Sequence, residues 1–204
     1  MSSLSNTSHF TKRLLAFALL SVALMLAGCE DNYPPQQTAK LPTSQQTAPE
    51  ALSALNWELY FSPRGGCTDA IVDAIDAARQ TVRVQAYSFT SAGIAKALLD
   101  ARKRGVDVQV ILDKSQETQK YSSADFLHNS GIAVYIDRAH AIAHNKIIII
   151  DQQTVITGSF NFTKAAEERN AENVLIIKDE KLASRYAQNW KEHFMHSEEY
   201  KGRY

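Results

Sequence analysis

The stretch 143–162 contains side chains that are suited to phosphoryl chemistry. His144 and Lys146 lie two residues apart, and Ser159 and Asn161 repeat the same spacing. Side chains of a β-strand alternate between its two faces, so the members of each pair are expected to point to one side. An imidazole can act as a nucleophile or as a general acid or base near neutral pH. An ammonium group and an amide can stabilise the charge on phosphate oxygens. The stretch is therefore predicted to form a site that acts on phosphodiesters.

A β-hairpin is predicted to carry these residues. One apolar segment consists of the four isoleucines 147–150, and a second covers residues 154–157. Asp151, Gln152 and Gln153 lie between the two segments and are typical of a turn. Asp151 is an odd number of residues away from both His144 and Lys146, so its side chain is expected to face away from them. We predict that Asp151 has a structural partner outside the phosphate pocket.

The spacing of these residues resembles the signature of the phospholipase D superfamily. The signature H-x-K-x4-D-x6-G-S-x-N matches residues 144–161 at every defined position. The resemblance extends over about residues 57–204 and is to the single-motif branch, the Nuc-like bacterial endonucleases. It implies an α/β fold, a phospholipase D-like layered domain with a central mixed β-sheet flanked by helices. The flanking segments that carry the resemblance are residues 60–63, 86–90, 103–108 and 158–167.

The resemblance also implies a homodimer. The mechanism of the family uses two histidines, one that attacks phosphorus to give a phosphohistidine and one that protonates the leaving oxygen. This chain has one copy of the motif, so two copies of His144 would meet across a two-fold axis. One imidazole must be neutral and the other protonated, which predicts a bell-shaped dependence of activity on pH. The resemblance implies neither a metal ion nor any other cofactor.

Further catalytic roles are implied for the remaining residues of the motif. Lys146 and Asn161 would bind the phosphate oxygens, and Ser159 would either donate to the phosphate or brace its loop. Glu172 matches the carboxylate that hydrogen-bonds the second nitrogen of the catalytic imidazole. Asp151 belongs to the motif, although its position in the hairpin favours a structural role.

The amino terminus is predicted to direct export. Residues 1–29 combine a short basic segment with an apolar run that is too short to span a membrane but suits a secretory signal. The run ends in Leu-Ala-Gly-Cys, which resembles the lipobox of bacterial lipoproteins, with Cys29 as the lipidated residue. The alternative is an ordinary signal peptide in which Cys29 is incidental. Residues 30–50 are rich in Pro, Gln and Thr and are expected to form a tether, followed by the catalytic domain, 51–204. The protein is thus expected in the periplasm or cell envelope, with a lipid anchor as a possible membrane attachment.

Composition restricts how a nucleic acid could be bound. The chain has 22 basic and 22 acidic residues, and the predicted domain is also formally neutral. This balance excludes a strong overall field that would attract a polyanion, so nucleic-acid binding must depend on local groups such as residues 102–104.

Cys67 is the one cysteine left when Cys29 is set aside, so an intrachain disulfide is possible only if Cys29 is retained without lipid.

Alternating strands and helices predict the layered architecture. Thr68 is expected to cap a helix, and Ser91 is expected to open the next one. Residues 81–89 are expected to form a strand, and 181–194 a long helix near the end of the chain. His193 and His196 on that helix are expected at the surface. A zinc site on His140 and His144 is not expected, because the stretch lacks the H-E-x-x-H pattern.

Three functions remain open at the level of sequence. The first is a non-specific nuclease acting on DNA or RNA, and the second is a phospholipase acting on phospholipid head groups or cardiolipin. The third is an envelope protein that keeps the fold for binding without catalysis. The intact set of site residues argues against the third, and the resemblance to the Nuc-like branch favours the first.

Overall fold

The computed structural model describes residues 56–203, which form one mixed β-sheet with helices on both faces. The predicted leader, Cys29 and the predicted tether lie outside the described residues. Eight strands are present in this part of the chain: β1 Trp57–Ser62, β2 Thr81–Ala86, β3 Asp107–Asp113, β4 Ala133–Asp137, β5 Lys146–Ile150, β6 Thr154–Gly158, β7 Glu172–Lys178 and β8 Glu198–Glu199. The five α-helices are α1 Cys67–Asp76, α2 Ala92–Lys103, α3 Ala124–Asn129, α4 Lys164–Glu168 and α5 Glu180–His196.

The strands follow the order β1-β7-β6-β5-β2-β3-β4-β8 across the sheet. The neighbours β2, β3 and β4 run parallel, because helices α2 and α3 make the crossovers between them. The remaining pairs are antiparallel, including the β5–β6 hairpin with residues 151–153 as its turn. The predicted α/β layered domain with a mixed sheet is confirmed.

Two hydrophobic clusters cover the two faces of the sheet, and the isoleucine run contributes to both. Ile148 and Ile150 pack into the larger cluster, which includes residues of helices α1 and α2. Ile147 and Ile149 face the opposite side, where Trp190 of α5 packs against them. Trp190 Nε1 also donates a hydrogen bond of 3.0 Å to the backbone oxygen of Val84. Strand β5 is therefore buried on both faces. This burial fixes the position of the β5–β6 hairpin, which carries the site.

The start of helix α1 differs from the prediction. Its N-cap is Gly66, which has a φ of 80° and provides no side-chain cap, so the expected cap by Thr68 is wrong. The carboxylate of Glu167 accepts hydrogen bonds from the backbone N–H groups of Gly66 and Thr68 at 3.2 and 2.7 Å. A side chain distant in sequence thus satisfies these donors, which local sequence patterns do not reveal. The predicted cap at Ser91 is confirmed, since its Oγ accepts from the backbone N–H of Ile94.

Strand β2 is shorter than expected and ends at Ala86, where the chain leaves the sheet towards a single bridge between Phe89 and Phe162.

Cys67 is fully buried at the start of α1, and burial raises the pKa of its thiol to about 11. A disulfide to Cys29 would require this buried thiol to become accessible. Within residues 56–203, no helix has both the length and the apolar character needed to cross a membrane.

Candidate active site

His144 lies in the connection between β4 and β5, and backbone contacts on both sides hold it in place. The backbone N–H of Ala143 donates to the buried carboxylate of Asp113, at the end of β3, over 2.7 Å. On the other side, the backbone N–H of Tyr87 donates to the carbonyl of Asn145 over 2.8 Å. The imidazole itself is exposed and therefore accessible to a substrate.

The Tyr87 ring contacts both chemical groups of the H-x-K pair. Its centroid lies 4.6 Å from the centroid of the His144 ring and 5.1 Å from Lys146 Nζ. The first contact limits the rotation of the imidazole, and the second is a cation–π interaction. The sequence analysis missed this role. Tyr87 directly follows β2, and β5 is a neighbour of β2 in the sheet. The position of Tyr87 therefore indicates this contact only when the order of the strands is known.

Lys146 begins strand β5 and is buried, with 8% of its surface exposed. Its Nζ donates to the carbonyl of His144 over 2.8 Å. Burial lowers the pKa of this ammonium group, and the negative charge of Glu172 partly opposes the effect by raising it. Because hydration of the ammonium is reduced, an anionic phosphate would interact with it more strongly than at an open surface.

The end of strand β6 provides the second pair of predicted residues. Gly158 has a φ of 146°, and a Cβ at this position would lie 2.2 Å from the carbonyl oxygen of Asn173. The backbone of strand β6 therefore approaches the backbone of β7 closely at Gly158. Ser159 Oγ accepts from the backbone N–H of Asn173 over 3.1 Å, so it braces the loop and keeps its own hydrogen free to donate. Among residues 56–203, the buried Oδ1 of Asn161 has no hydrogen-bond partner.

Glu172 begins strand β7, next to the end of β6. Its Oε1 accepts from Asn170 Nδ2 over 3.1 Å, and Ser62 Oγ accepts from its backbone N–H over 3.2 Å. Within the described chain, no hydrogen bond joins Glu172 to His144, so the contact implied by the family resemblance is not formed in this arrangement. The two side chains nevertheless line the same cavity.

The cavity has a volume of about 430 Å³ and contains five of the six residues that were predicted to be catalytic. The lining consists of His144, Lys146, Gly158, Ser159, Asn161 and Glu172. A larger cavity of about 540 Å³ lies beside helix α2 and is lined by residues such as Ala95, Tyr121 and Phe126. We assign the site to the smaller cavity, because it combines a potential nucleophile with cationic and amide groups for phosphate oxygens.

Asp151 lies at the hairpin turn and does not line the cavity. Its carboxylate accepts backbone hydrogen bonds from Arg79, Gln80 and Thr81 at 2.9, 2.8 and 2.8 Å. Burial alone would raise the pKa of Asp151, but these three donors and the charge of Arg79 outweigh it and hold the pKa below its usual range. The aspartate of the motif thus fastens the hairpin to the start of β2, away from the phosphate pocket.

The histidines near the carboxyl terminus differ from expectation. His193 has only 14% of its side chain exposed, and its Nδ1 lies 2.8 Å from a carboxylate oxygen of Asp137. His196 and His140 contact the same buried carboxylate at 3.3 and 2.9 Å. The expected surface position is confirmed for His196, which is exposed, but not for His193, because the last turn of α5 packs against the end of β4. The contacts of both residues with a buried carboxylate were not expected.

Comparison with known proteins agrees with the geometry of the site. Residues 71–194 match the family described as cardiolipin synthase, PLD-like domain. The chain belongs to the phospholipase D superfamily. The protein named phospholipase D from Rickettsia conorii is 52% identical over 193 residues, which cover 90% of this chain and 94% of the relative.

Two other relatives in the superfamily have different names. The crystal structure of the phospholipase D family member Nuc from Salmonella typhimurium has a TM-score of 0.69 and 40% identity, and the match covers 72% of this chain and 98% of Nuc. The mitochondrial cardiolipin hydrolase of Chlamydomonas reinhardtii is 30% identical over 88% of this chain and 81% of that protein. The comparisons thus support the phospholipase D fold and a phosphodiester-hydrolysing enzyme of this superfamily. Relatives with different names share both.

Proposed function

We propose that the protein is a metal-independent, non-specific endonuclease that hydrolyses DNA or RNA through a phosphohistidine intermediate. The observation that carries the proposal is the lining of the cavity, which combines His144, Lys146, Ser159, Asn161 and Glu172 and, within residues 56–203, contains no apolar side chain. A phosphodiester needs a nucleophile, a proton donor and groups that stabilise negative charge on its oxygens. It needs no apolar surface at the reacting phosphorus.

His144 is the nucleophile in this mechanism. One ring nitrogen attacks phosphorus, a nitrogen–phosphorus bond forms, and the bond to the leaving oxygen breaks as the second imidazole protonates that oxygen. The second imidazole then removes a proton from water, which attacks phosphorus and releases His144. Lys146 and Asn161 hold the non-bridging oxygens throughout. Ser159 donates its free hydrogen to the phosphate while its oxygen remains bonded to the loop.

The second imidazole comes from another copy of the chain, which makes the active unit a homodimer. An exposed apolar strip supports this proposal: Trp57, Leu59 and Phe61 lie on one face of the edge strand β1 and are 46%, 43% and 63% exposed. Phe61 pairs with Asn173, directly beside Glu172, so the strip reaches the cavity-bearing strand β7. Exposed apolar surface of this kind on an edge strand is suited to a partner subunit.

A phospholipase D acting on phospholipid head groups or cardiolipin is the second candidate. Its support is the 52% identity to a protein named phospholipase D and the 30% identity to one named cardiolipin hydrolase. The polar lining of the cavity favours the nuclease, because acyl chains next to the head group need apolar contacts. The match to 98% of Nuc at 40% identity also favours the nuclease, since the family resemblance is to Nuc-like endonucleases.

We further propose that the protein is exported to the periplasm or cell envelope and is attached there through a lipid on Cys29. The apolar run and the Leu-Ala-Gly-Cys sequence support this proposal. The test is metabolic labelling with a radioactive fatty acid. Label on the wild type that disappears in Cys29→Ser supports the anchor, whereas an unlabelled but exported wild type indicates an ordinary signal peptide.

The substrate is tested with the purified full-length protein in EDTA. Plasmid DNA, a structured RNA and cardiolipin-containing vesicles are offered in parallel to the wild type, His144→Ala and His128→Ala. His128 lies on α3, outside the cavity, and serves as the matched histidine control. Loss of a group that acts as nucleophile is expected to reduce the rate by at least about 10³-fold.

Cleavage of nucleic acid in EDTA that is lost only in His144→Ala supports the proposed nuclease. Head-group release while nucleic acid stays intact would replace it with the phospholipase. A folded dimer that acts on none of the three substrates would leave the non-catalytic binding function as the better explanation.

A further inference from the structure

A second cluster of reactive side chains lies outside the catalytic cavity. Asp137 ends strand β4, His140 follows it in the connection to β5, and His193 and His196 occupy the last turn of α5. One ligand atom from each of the four residues lies within 4.8 Å of the others. The cluster shares no residue with the cavity around His144.

The three imidazoles of the cluster all contact one carboxylate oxygen. Asp137 Oδ2 lies 2.9 Å from His140 Nδ1, 2.8 Å from His193 Nδ1 and 3.3 Å from His196 Nε2. The other oxygen, Oδ1, accepts from the backbone N–H of Ala139 over 3.1 Å, which fixes the orientation of the carboxylate. Three imidazoles with nitrogens converging on a single point are uncommon in a surface cluster. They are the usual ligands of transition metals.

The sequence contains the matching spacing in two places. Asp137 and His140 form a D-x2-H pair, and His193 and His196 form an H-x2-H pair. On a helix, residues three apart lie on the same side, so the second pair faces the first when α5 packs on the sheet. Two short pairs brought together by tertiary contact resemble the way in which ligands are grouped in protein zinc sites.

Burial and nearby charges also suit a cation. Asp137 is fully buried, whereas the side chains of His193, His196 and His140 are 14%, 36% and 47% exposed. The site thus has an anionic base and an open side through which an ion can enter. The neighbouring cation Arg138 is engaged by Glu117 and Glu198 at 2.6 and 3.0 Å, which limits its repulsion of a bound ion.

We propose that Asp137, His140, His193 and His196 form a binding site for a divalent transition-metal ion, with Zn²⁺ as the ion to test. One carboxylate oxygen and three neutral imidazoles supply the four ligands of a tetrahedral structural zinc site. At zinc–ligand distances of about 2.0–2.1 Å, side-chain rotation must move the nitrogens of His140 and His193 slightly away from Asp137 Oδ2 and arrange the four ligand atoms around a common centre. Ca²⁺ and Mg²⁺ are not expected, because they prefer oxygen ligands.

The metal would have a structural role and would not touch the reacting phosphate. It would join the last turn of α5 to the connection that begins after β4 and leads to His144. Hydrogen bonds between the imidazoles and Asp137 already make this connection, and coordination would replace them with stronger bonds. Metal binding would therefore stabilise the folded chain by mass action, without entering the chemistry of hydrolysis.

The test is direct metal binding by the full-length protein, purified without a polyhistidine tag and freed of metal. Zn²⁺ is titrated by calorimetry, and Co²⁺ is titrated by its visible absorption, which reports four-coordinate geometry. The variants are His196→Gln, which alters the more exposed helix ligand, His128→Gln as the matched control, and His144→Ala to exclude the catalytic site. Circular dichroism establishes that each variant is folded.

The expected result is one Zn²⁺ per chain, with binding weakened at least about tenfold in His196→Gln and unchanged in the other two variants. Zn²⁺ should raise the Tm of the wild type and of His128→Gln, and should raise that of His196→Gln much less. Absence of stoichiometric binding to the wild type, equal binding by His196→Gln, or loss of binding in His144→Ala would each overturn the proposal. Because binding and Tm are read without substrate, these outcomes are independent of whether the protein is a nuclease.

Discussion

At the scale of the residue, the site depends on groups that hold His144 as well as on His144 itself. The motif predicted which residues line the cavity, because their spacing on a hairpin determines where they point. It did not reveal Tyr87 or Asp113, which contact the H-x-K stretch from other strands. These contacts arise from the order of strands in the sheet, and the local sequence around each residue contains no signal for them.

Tyr87 is expected to position the catalytic imidazole through its ring. Tyr87→Leu removes the flat surface next to His144 and Lys146, so we expect kcat to fall about 10–100-fold with a smaller change in KM. Tyr87→Phe retains the ring and should stay within about threefold of the wild type. Steady-state kinetics of both variants provide the test. Equal loss in Tyr87→Phe and Tyr87→Leu would show that the hydroxyl group matters and that the ring contact does not.

Asp151 is expected to stabilise the fold in its ionised form. Its folded-state pKa is depressed, so the stabilisation is present at neutral pH and is lost as the pH falls from about 4 through the lower pKa of the folded protein. Asp151→Asn should therefore lower the free energy of unfolding by about 1–2 kcal/mol at pH 7. Urea denaturation at several pH values should show this gap closing in acid. A gap that is constant with pH would contradict the assignment.

At the scale of the element, the alternation of strands and helices predicted the layered fold. The spacing of apolar residues in each segment was typical of either a strand or a helix. Boundaries that depend on distant partners were predicted less well. Helix α1 begins beside Gly66, where the carboxylate of Glu167, 101 residues later in the sequence, accepts the free backbone N–H groups. The short strand β8 forms by pairing with β4. Neither feature has a local pattern that would indicate it.

Strand β6 approaches the backbone of β7 closely at Gly158. Gly158→Ala would place a Cβ 2.2 Å from the carbonyl oxygen of Asn173, at a backbone φ of 146° that favours glycine. We expect a loss of at least about 3 kcal/mol in the free energy of unfolding. Gly93→Ala in α2 is the control, since its Cβ would lie 3.8 Å from the nearest side-chain atom and alanine favours helix. Similar unfolding curves for the two variants would disprove the close approach.

At the scale of the whole molecule, the proposed mechanism needs a second histidine from a partner copy of the chain. Phe61→Glu introduces charge into the apolar strip of β1, so we expect the dimer to dissociate and activity to fall by about 10²-fold or more. Tyr121→Glu is the control, because Tyr121 is 73% exposed but lies elsewhere on the surface. Sedimentation equilibrium and activity are measured on the same samples. A monomeric variant that retains full activity would contradict the shared site.

In the proposed mechanism, phosphodiester hydrolysis proceeds through a covalent bond to His144. Each in-line displacement at phosphorus inverts its configuration, so two displacements retain the configuration and one inverts it. The most direct measurement is the hydrolysis of a dinucleotide phosphorothioate of one configuration in ¹⁸O-labelled water, followed by assignment of the chiral product. Our account predicts net retention. Net inversion would show that water attacks phosphorus directly and would contradict a phosphohistidine intermediate.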